Sequence, residues 1–201
     1  MIGSPEAKIK TSISNPLIIT SLETPGGGKI GMTFCPGKKQ LNAATGNWNR
    51  NLDTDLAVIR AWEAAAVVTL METSELVEYG VAEIGVKVVA LGMQWHHLPI
   101  IDGDIPRRRF ESKWAASGPV LRDHLLCGGR ILLHCRGGLG RTGTISARLL
   151  IELGIPANTA IDQVRFAKPK AIENLEQESY VHSLGPVADG IIRPAPSGAR
   201  G

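Results

Sequence analysis

Apolar and polar positions along this 201-residue chain switch between a strand-like and a helix-like period, and the switches predict its elements. Five short runs read as strands: Pro16 to Thr20, Lys29 to Phe34, Ala66 to Leu70, Met93 to Leu98 and Arg130 to Leu133. The turn chemistry of Thr24-Pro25-Gly26-Gly27-Gly28 joins the first two into a β-hairpin. Helical spacing begins at an Asp53 N-cap and runs through Leu56, Ile59, Arg60 and Trp62. It returns from Ser74 to Tyr79, with Gly80 as the stop, and over 81–91, where Ala82, Val86 and Val89 outweigh the strand preference of Val and Ile. Two pieces, Phe110 to Ala116 and Val120 to Leu126, are separated by a break at Gly118-Pro119. Three more helices are expected at 143–153, at 157–167 after Pro156, and at 174–184.

Strands alternating with helices, after an opening hairpin, give an α/β fold: a central, mostly parallel sheet flanked by helices. The length suits one sizeable domain, assigned to 15–185. Polar residues 1–14 and the Pro-, Gly- and Arg-rich stretch 186–201 are expected to be flexible ends. No internal repeat is present.

Composition narrows the picture only a little. An apolar fraction of 43 % with 20 % charged residues is that of a soluble globular protein. The net charge of +3 suits an anionic substrate but is too weak to suggest nucleic acid. Cys35, Cys127 and Cys135 form no CxxC pair, a pattern of a reducing compartment in which one thiol can be catalytic. The N-terminus lacks a signal-peptide layout, and no apolar run reaches the ~20 residues that span a bilayer. A cytoplasmic location without membrane association is the expectation. Oligomeric state is open.

The chemistry concentrates in His134-Cys135-Arg136-Gly137-Gly138-Leu139-Gly140-Arg141-Thr142-Gly143, between the 130–133 strand and the next helix. Its glycines let successive N–H groups curl into one small bowl, to which the helix N-terminus adds its positive end. A phosphate fits such a bowl, with Arg141 clamping two of its oxygens. Thiols in this setting have pKa values of about 3.5–7.5, so Cys135 is expected to be a thiolate beneath the phosphate. Thr142 is placed to donate its hydroxyl to that sulfur, and His134 to shape the loop from behind.

A leaving oxygen needs a proton, and Asp102 and Asp104 lie in the loop best composed to supply it. Spacing alone does not separate them. Gln177 is a candidate for orienting a hydrolytic water, against a solvated helix face as the bland alternative. His96, His97 and His182 lack metal-ligand spacing and read as structural, so neither metal nor cofactor is expected.

HCRGGLGRTG resembles the active-site loop of the cysteine-dependent protein tyrosine and dual-specificity phosphatases. FCPGKK, WHHLPIIDGDIP and AIDQVRFAKPKAIENLEQESYV extend the resemblance, over roughly 30–182, to the kinase-associated phosphatase branch and its bacterial relatives. The resemblance implies a protein tyrosine phosphatase-like fold and a dual-specificity phosphatase-like catalytic domain. It also implies metal-free hydrolysis of phosphoprotein monoesters through a phospho-cysteine. Position by position it makes Cys135 the nucleophile, Arg141 the clamp and Asp102, rather than Asp104, the general acid. Gln177 falls on the family's glutamine. AKPKAIEN departs from the family's RPGAIET at Lys168, Lys170 and Asn174.

Two other functions compete. A phosphoinositide or small-molecule phosphatase would want further cations in the loop, where Leu139 is apolar and Arg136 alone is cationic. A phosphoprotein-binding module would not need Cys135. The expected partner is a phosphoprotein or phosphopeptide substrate.

Overall fold

The apolar runs do become strands of one sheet. A computed structural model describes residues 9–187, so 1–8 and 188–201, most of the expected flexible ends, lie outside the described residues. Its strands are β1 (Thr20–Glu23), β2 (Lys29–Thr33), β3 (Lys39–Ala43), β4 (Gly46–Asn49), β5 (Ala64–Thr69), β6 (Gln94–His97) and β7 (Arg130–His134). The helices are α1 (Leu52–Ala61), α2 (Thr73–Glu78), α3 (Ile84–Ala90), α4 (Arg108–Leu126), α5 (Gly140–Glu152), α6 (Ala157–Ala167) and α7 (Leu175–His182).

The main sheet has the order β1-β2-β7-β5-β6. β1 and β2 are the antiparallel hairpin, and β2, β7, β5 and β6 are mutually parallel. The helices flank this sheet. α1 packs on α3 and β5, while α4, α6 and α7 pack around α5 or its neighbours. All thirteen residues of α5 are buried, which makes it the helix at the centre of the core. Ile131, Leu132 and Leu133 of β7, and Ala66, Val67 and Val68 of β5, are fully inaccessible. The continuous apolar character of these two strands follows from helices covering the sheet. Among the described residues no helix is long and apolar enough to cross a membrane.

Four expectations are corrected. β1 begins at Thr20, not Pro16, because only Thr20 to Glu23 reach register opposite Met32 to Lys29. α1 is capped by Asn51, whose side chain accepts from Thr54 N at 2.9 Å, while Asp53 pairs with Lys87 at 2.6 Å. The expected break at Gly118-Pro119 does not occur. α4 runs unbroken through Pro119, and Phe110, Trp114, Gly118, Leu121 and Leu125 form one buried stripe along it. The proline leaves the Ala115 carbonyl without its helical donor, but both residues are exposed, so water can serve that carbonyl.

The fourth correction is at the N-terminus. Residues 10–15 are tied down where composition predicts a loose end. Lys10 exchanges backbone bonds with Asn47 (2.8 Å) and Asn49 (3.0 Å), and Arg50 donates to the Asn15 carbonyl at 2.6 Å. The anchor is the β3–β4 hairpin, which sequence patterning had missed altogether. None of its strand residues is fully buried, so the strands carry no apolar stripe.

Candidate active site

The parallel strands end level with one another: Thr33 of β2, His134 of β7, Thr69 of β5 and His97 of β6 are in register. The loops that leave this carboxyl edge converge, as open α/β sheets dispose their binding sites. One loop, 135–139, follows β7. Loop 34–38 follows β2 and is pinned to it where Cys35 N donates to the Arg136 carbonyl at 3.3 Å. Loop 98–107 follows β6, with Leu98 N and Ile100 N bonded to the carbonyls of Thr69 (3.0 Å) and Leu70 (3.1 Å).

The bowl has the expected strand–loop–helix context. Gly138 has a φ of +73°, and a Cβ there would run into the Thr33 carbonyl, so this turn admits only glycine. Its N–H donates to the Cys135 sulfur at 3.1 Å. Cys135 is 3 % exposed, and the helix start at Leu139 has no side-chain cap, which leaves its first-turn N–H groups for another acceptor. Gly137 and Arg136 are exposed on the rim, and Leu139 is half-buried.

Arg141 lies under this rim with 1 % of its surface exposed. Its guanidinium donates to both oxygens of Glu75 (2.6 and 2.9 Å), to the Ile100 carbonyl (3.0 Å) and to Asp102 Oδ1 (2.8 Å). Burial works against this charge, but the Glu75 hydrogen bonds and the charges of Cys135, Glu75 and Asp102 together push its pKa up. Burial likewise works against charge on Glu75, and its bonds from Arg141 and from the Glu72 N–H overcome this and hold it below the usual carboxylate range. Glu75 is the residue that sequence reasoning missed. A Glu72-x-x-Glu75 capping box is visible in the sequence, but not the reach of Glu75 across the fold to Arg141.

Asp102 and Asp104 are now distinct. Asp102 spans the mouth of the bowl, with Oδ1 on Arg141 and Oδ2 on Arg136 at 2.7 Å, and its side chain stays 43 % exposed. Asp104 points into its own loop, accepting from Ile105 N (2.8 Å) and from Arg107 (2.8 and 3.1 Å). The Arg107 hydrogen bond holds its carboxyl below the ordinary value.

The supporting residues divide. His134 is fully buried, its Nε2 bonded to Thr69 Oγ1 at 2.8 Å, and that oxygen also accepts from Trp95 Nε1 at 2.9 Å. Burial drives its pKa to about 3, so the ring is neutral behind the loop. Thr142 Oγ1 is buried without a hydrogen-bond partner, so the expected donation to the Cys135 sulfur is not made. Gln177 is fully buried, which overturns the solvated-face alternative. Its Oε1 accepts from Glu173 N at 2.9 Å and its amide donates to the Asp104 carbonyl at 3.4 Å, beside Gly140. Asn174, one of the departures from the family pattern, donates to the Gly103 carbonyl at 2.9 Å and so ties α7 to loop 98–107.

His97 Nε2 donates to the Met71 carbonyl (2.9 Å) and His96 Nδ1 bonds Ser117 Oγ (3.0 Å), which accounts for both rings structurally. Among the described residues no group of three His, Cys, Asp or Glu side chains could hold a metal ion.

A thiol that accepts from the Gly138 N–H beside an uncapped helix start, an arginine with a fixed fork and a carboxylate at the mouth can together bind a tetrahedral dianion and attack it. Known proteins agree with this geometry. The family model described as "Polymorphic toxin system, DSP-PTPase phosphatase" matches residues 43–155, which contain Asp102, Cys135 and Arg141. Cyclin-dependent kinase inhibitor 3 of Rattus norvegicus is 28 % identical over 161 residues, covering 77 % of this chain and 71 % of the relative. Tyrosine-protein phosphatase CDC14 of Saccharomyces cerevisiae is 32 % identical over 94 residues, which are 46 % of this chain and 16 % of that protein. A crystal structure of kinase associated phosphatase, with serine in place of its catalytic-site cysteine, superposes with a TM-score of 0.74 at 26 % identity. That superposition covers 84 % of this chain and 94 % of the other. More than half of the sequence, including the whole bowl, thus falls within one family description, and the chain belongs to the DSP-PTPase phosphatases.

Proposed function

We propose that this phosphatase hydrolyses phosphate monoesters on protein side chains in two steps through Cys135. The single observation that carries the reading is the convergence of Arg141 and Arg136 on one carboxylate, Asp102, directly at the mouth of the cysteine loop. Two guanidiniums that grip a carboxylate there are equally able to grip a phosphoryl group, and a substrate phosphate takes Asp102's place on Arg141.

The first step forms the sulfur–phosphorus bond as the bond from phosphorus to the leaving oxygen breaks. Arg141 and the bowl amides hold the three equatorial oxygens, where charge spreads in the transition state. Asp102, displaced from Arg141 but still at the mouth, protonates the departing alkoxide or phenoxide. In the second step Asp102, now a carboxylate, takes a proton from water as that water attacks phosphorus and Cys135 leaves. Gln177, on the wall beside Gly140, orients the water. Thr142, whose buried hydroxyl is without a partner among the described residues, donates to the departing sulfur. Glu75 is a positioning residue: it fixes the plane of the Arg141 fork. His134, neutral behind the loop, fixes the strand end that carries Cys135. No step uses a metal.

The protein class of substrate is supported by the relatives, which include a protein named as a tyrosine-protein phosphatase. A panel of phosphotyrosine, phosphoserine and phosphothreonine peptides tests it, with wild type and Cys135→Ser in parallel and a chelator present. The expected result is phosphate release by wild type alone, insensitive to chelation, with the serine variant retaining peptide binding. Undiminished release by Cys135→Ser would overturn the mechanism.

A further inference from the structure

Asp102 is held by ion pairs that the reaction itself takes away. In the free enzyme Arg141 and Arg136 grip its two oxygens at 2.8 and 2.7 Å. Once a substrate phosphate occupies those guanidiniums, the acid is placed only by the backbone that carries it. That backbone is a tight turn. Asp104 N donates to the Ile101 carbonyl at 3.0 Å, which puts Asp102 and Gly103 at the two central positions. Gly103 has a φ of +76°, is exposed, and has nothing within 4 Å of where a side chain would begin, so no packing fixes it.

The two sides of this turn are secured differently. Upstream, Ile100 is locked into the fold: its N–H donates to the Leu70 carbonyl at 3.1 Å, and its own carbonyl accepts from Arg141 at 3.0 Å. Downstream, the restraints come from the start of α7, and there are three. Glu176 pairs with Arg107 at 2.9 Å, and Arg107 in turn holds Asp104 at 2.8 Å. The Arg107 and Glu176 side chains are both more than half exposed, where ion pairs contribute little. The Gln177 amide reaches the Asp104 carbonyl only at 3.4 Å, longer than the usual N–H···O range.

Asn174 makes the short contact. Its Nδ2 donates to the Gly103 carbonyl at 2.9 Å, while its Oδ1 accepts from Gln177 N at 2.9 Å and caps α7. One side chain therefore joins a helix end to the peptide that follows the acid. We propose that Asn174 is a positioning residue for the general acid: its bond to Gly103 fixes the turn, so that the Asp102 carboxyl stays at the mouth after phosphate has displaced it from Arg141 and Arg136. This inference rests on Asp102 acting as the acid and deepens that reading.

Two variants separate the tie from the cap. Asn174→Asp keeps the capping oxygen and nearly the same shape but cannot donate to Gly103. Asn174→Ser also caps α7, adds no charge, and has too short a side chain to span the gap. For each, kcat/KM is measured with an alkyl phosphate and with an aryl phosphate of good leaving group, in the wild-type and Asp102→Ala backgrounds. Both variants should lower kcat/KM for the alkyl phosphate about threefold to tenfold, the factor for one lost neutral hydrogen bond, and for the aryl phosphate by less than about twofold. In the Asp102→Ala background neither should lower it further, because the two residues act as one unit. Amide hydrogen exchange over 101–105, read by mass spectrometry on the full chain, should quicken in both variants.

An equal fall on both substrates, or the same fall in the Asp102→Ala background, would make Asn174 merely structural and overturn the proposal. Exchange over 101–105 that matches wild type in both variants would overturn it as well, since the turn would then not depend on the tie. Quickened exchange, combined with an Asp102→Ala enzyme that slows alkyl and aryl phosphates equally, would refute Asp102 as the acid while leaving the hold of Asn174 on the turn in place.

Discussion

Glu75→Gln isolates the contribution of Arg141's orientation. Glu75 grips the guanidinium through both oxygens, at 2.6 and 2.9 Å, with only 14 % of its side chain exposed, so solvent screening is weak. One of those oxygens also accepts from the Glu72 N–H at 2.9 Å. Glutamine retains an oxygen for one of these donors but presents an NH2 group where Arg141 now finds a second acceptor. The substitution thus removes one charge-assisted bond and the charge itself, a loss of about 1.5–3 kcal/mol. If the fork then rotates away from the bowl, kcat/KM for an aryl phosphate falls about tenfold to a hundredfold, since each ~1.4 kcal/mol is a factor of ten. Inorganic phosphate should weaken as a competitive inhibitor by a similar factor, because binding of the dianion depends on the same fork. A purely structural role for Glu75 would lower the urea midpoint and leave the inhibition constant of the surviving folded enzyme unchanged. Wild-type phosphate affinity in Glu75→Gln would refute the reasoning.

Asp102→Ala should slow an alkyl phosphate far more than an aryl phosphate with a good leaving group, whereas Asp104→Ala should slow both equally and mildly; a leaving-group-dependent loss confined to Asp104→Ala would reverse the assignment of the acid. Burial holds His134 at about 3, below the ~6.5 of an unfolded histidine, so between those values the unfolded chain takes up a proton that the folded one refuses. Its contribution is therefore complete above the unfolded value and is lost as pH falls towards 3, by up to ~1.4 kcal/mol per pH unit. Urea unfolding at pH 7, 6 and 5 should show a shallower decline in His134→Asn than in wild type, and identical slopes would show that the ring is not held neutral.

Local chemistry was legible in the sequence, and partnerships across the fold were not. The run 130–143 announces its strand, loop and helix because glycine positions, apolar spacing and the cysteine–arginine separation all lie within one local stretch. Asp102 needed the family resemblance to be preferred to Asp104, since both sit in the same loop. Only the folded loop shows Asp104 turned towards Arg107 and Asp102 towards Arg136 and Arg141. Glu75 could not be read from spacing at all, because it reaches Arg141 from a helix distant in sequence. The β3–β4 hairpin escaped notice for a different reason. Its stability comes from Trp48 packed with Lys10, Lys38 and Phe34, cation–π and ring contacts that leave no alternating apolar stripe. Gly118-Pro119 misled in the opposite direction, since a strong local breaker was overridden by the buried stripe of α4.

The central claim, that phosphate passes through the Cys135 sulfur, is met most directly by trapping it. Wild-type protein is mixed with an aryl phosphate, quenched in the first turnovers, digested and read by mass spectrometry under conditions that spare phosphothioesters. The account predicts one phosphoryl group on the peptide that carries Cys135, absent from Cys135→Ser and building up further where Asp102→Asn slows the hydrolytic step. Turnover by wild type with no phosphoryl group on that sulfur at any quench time, or with the group on another residue, would contradict it.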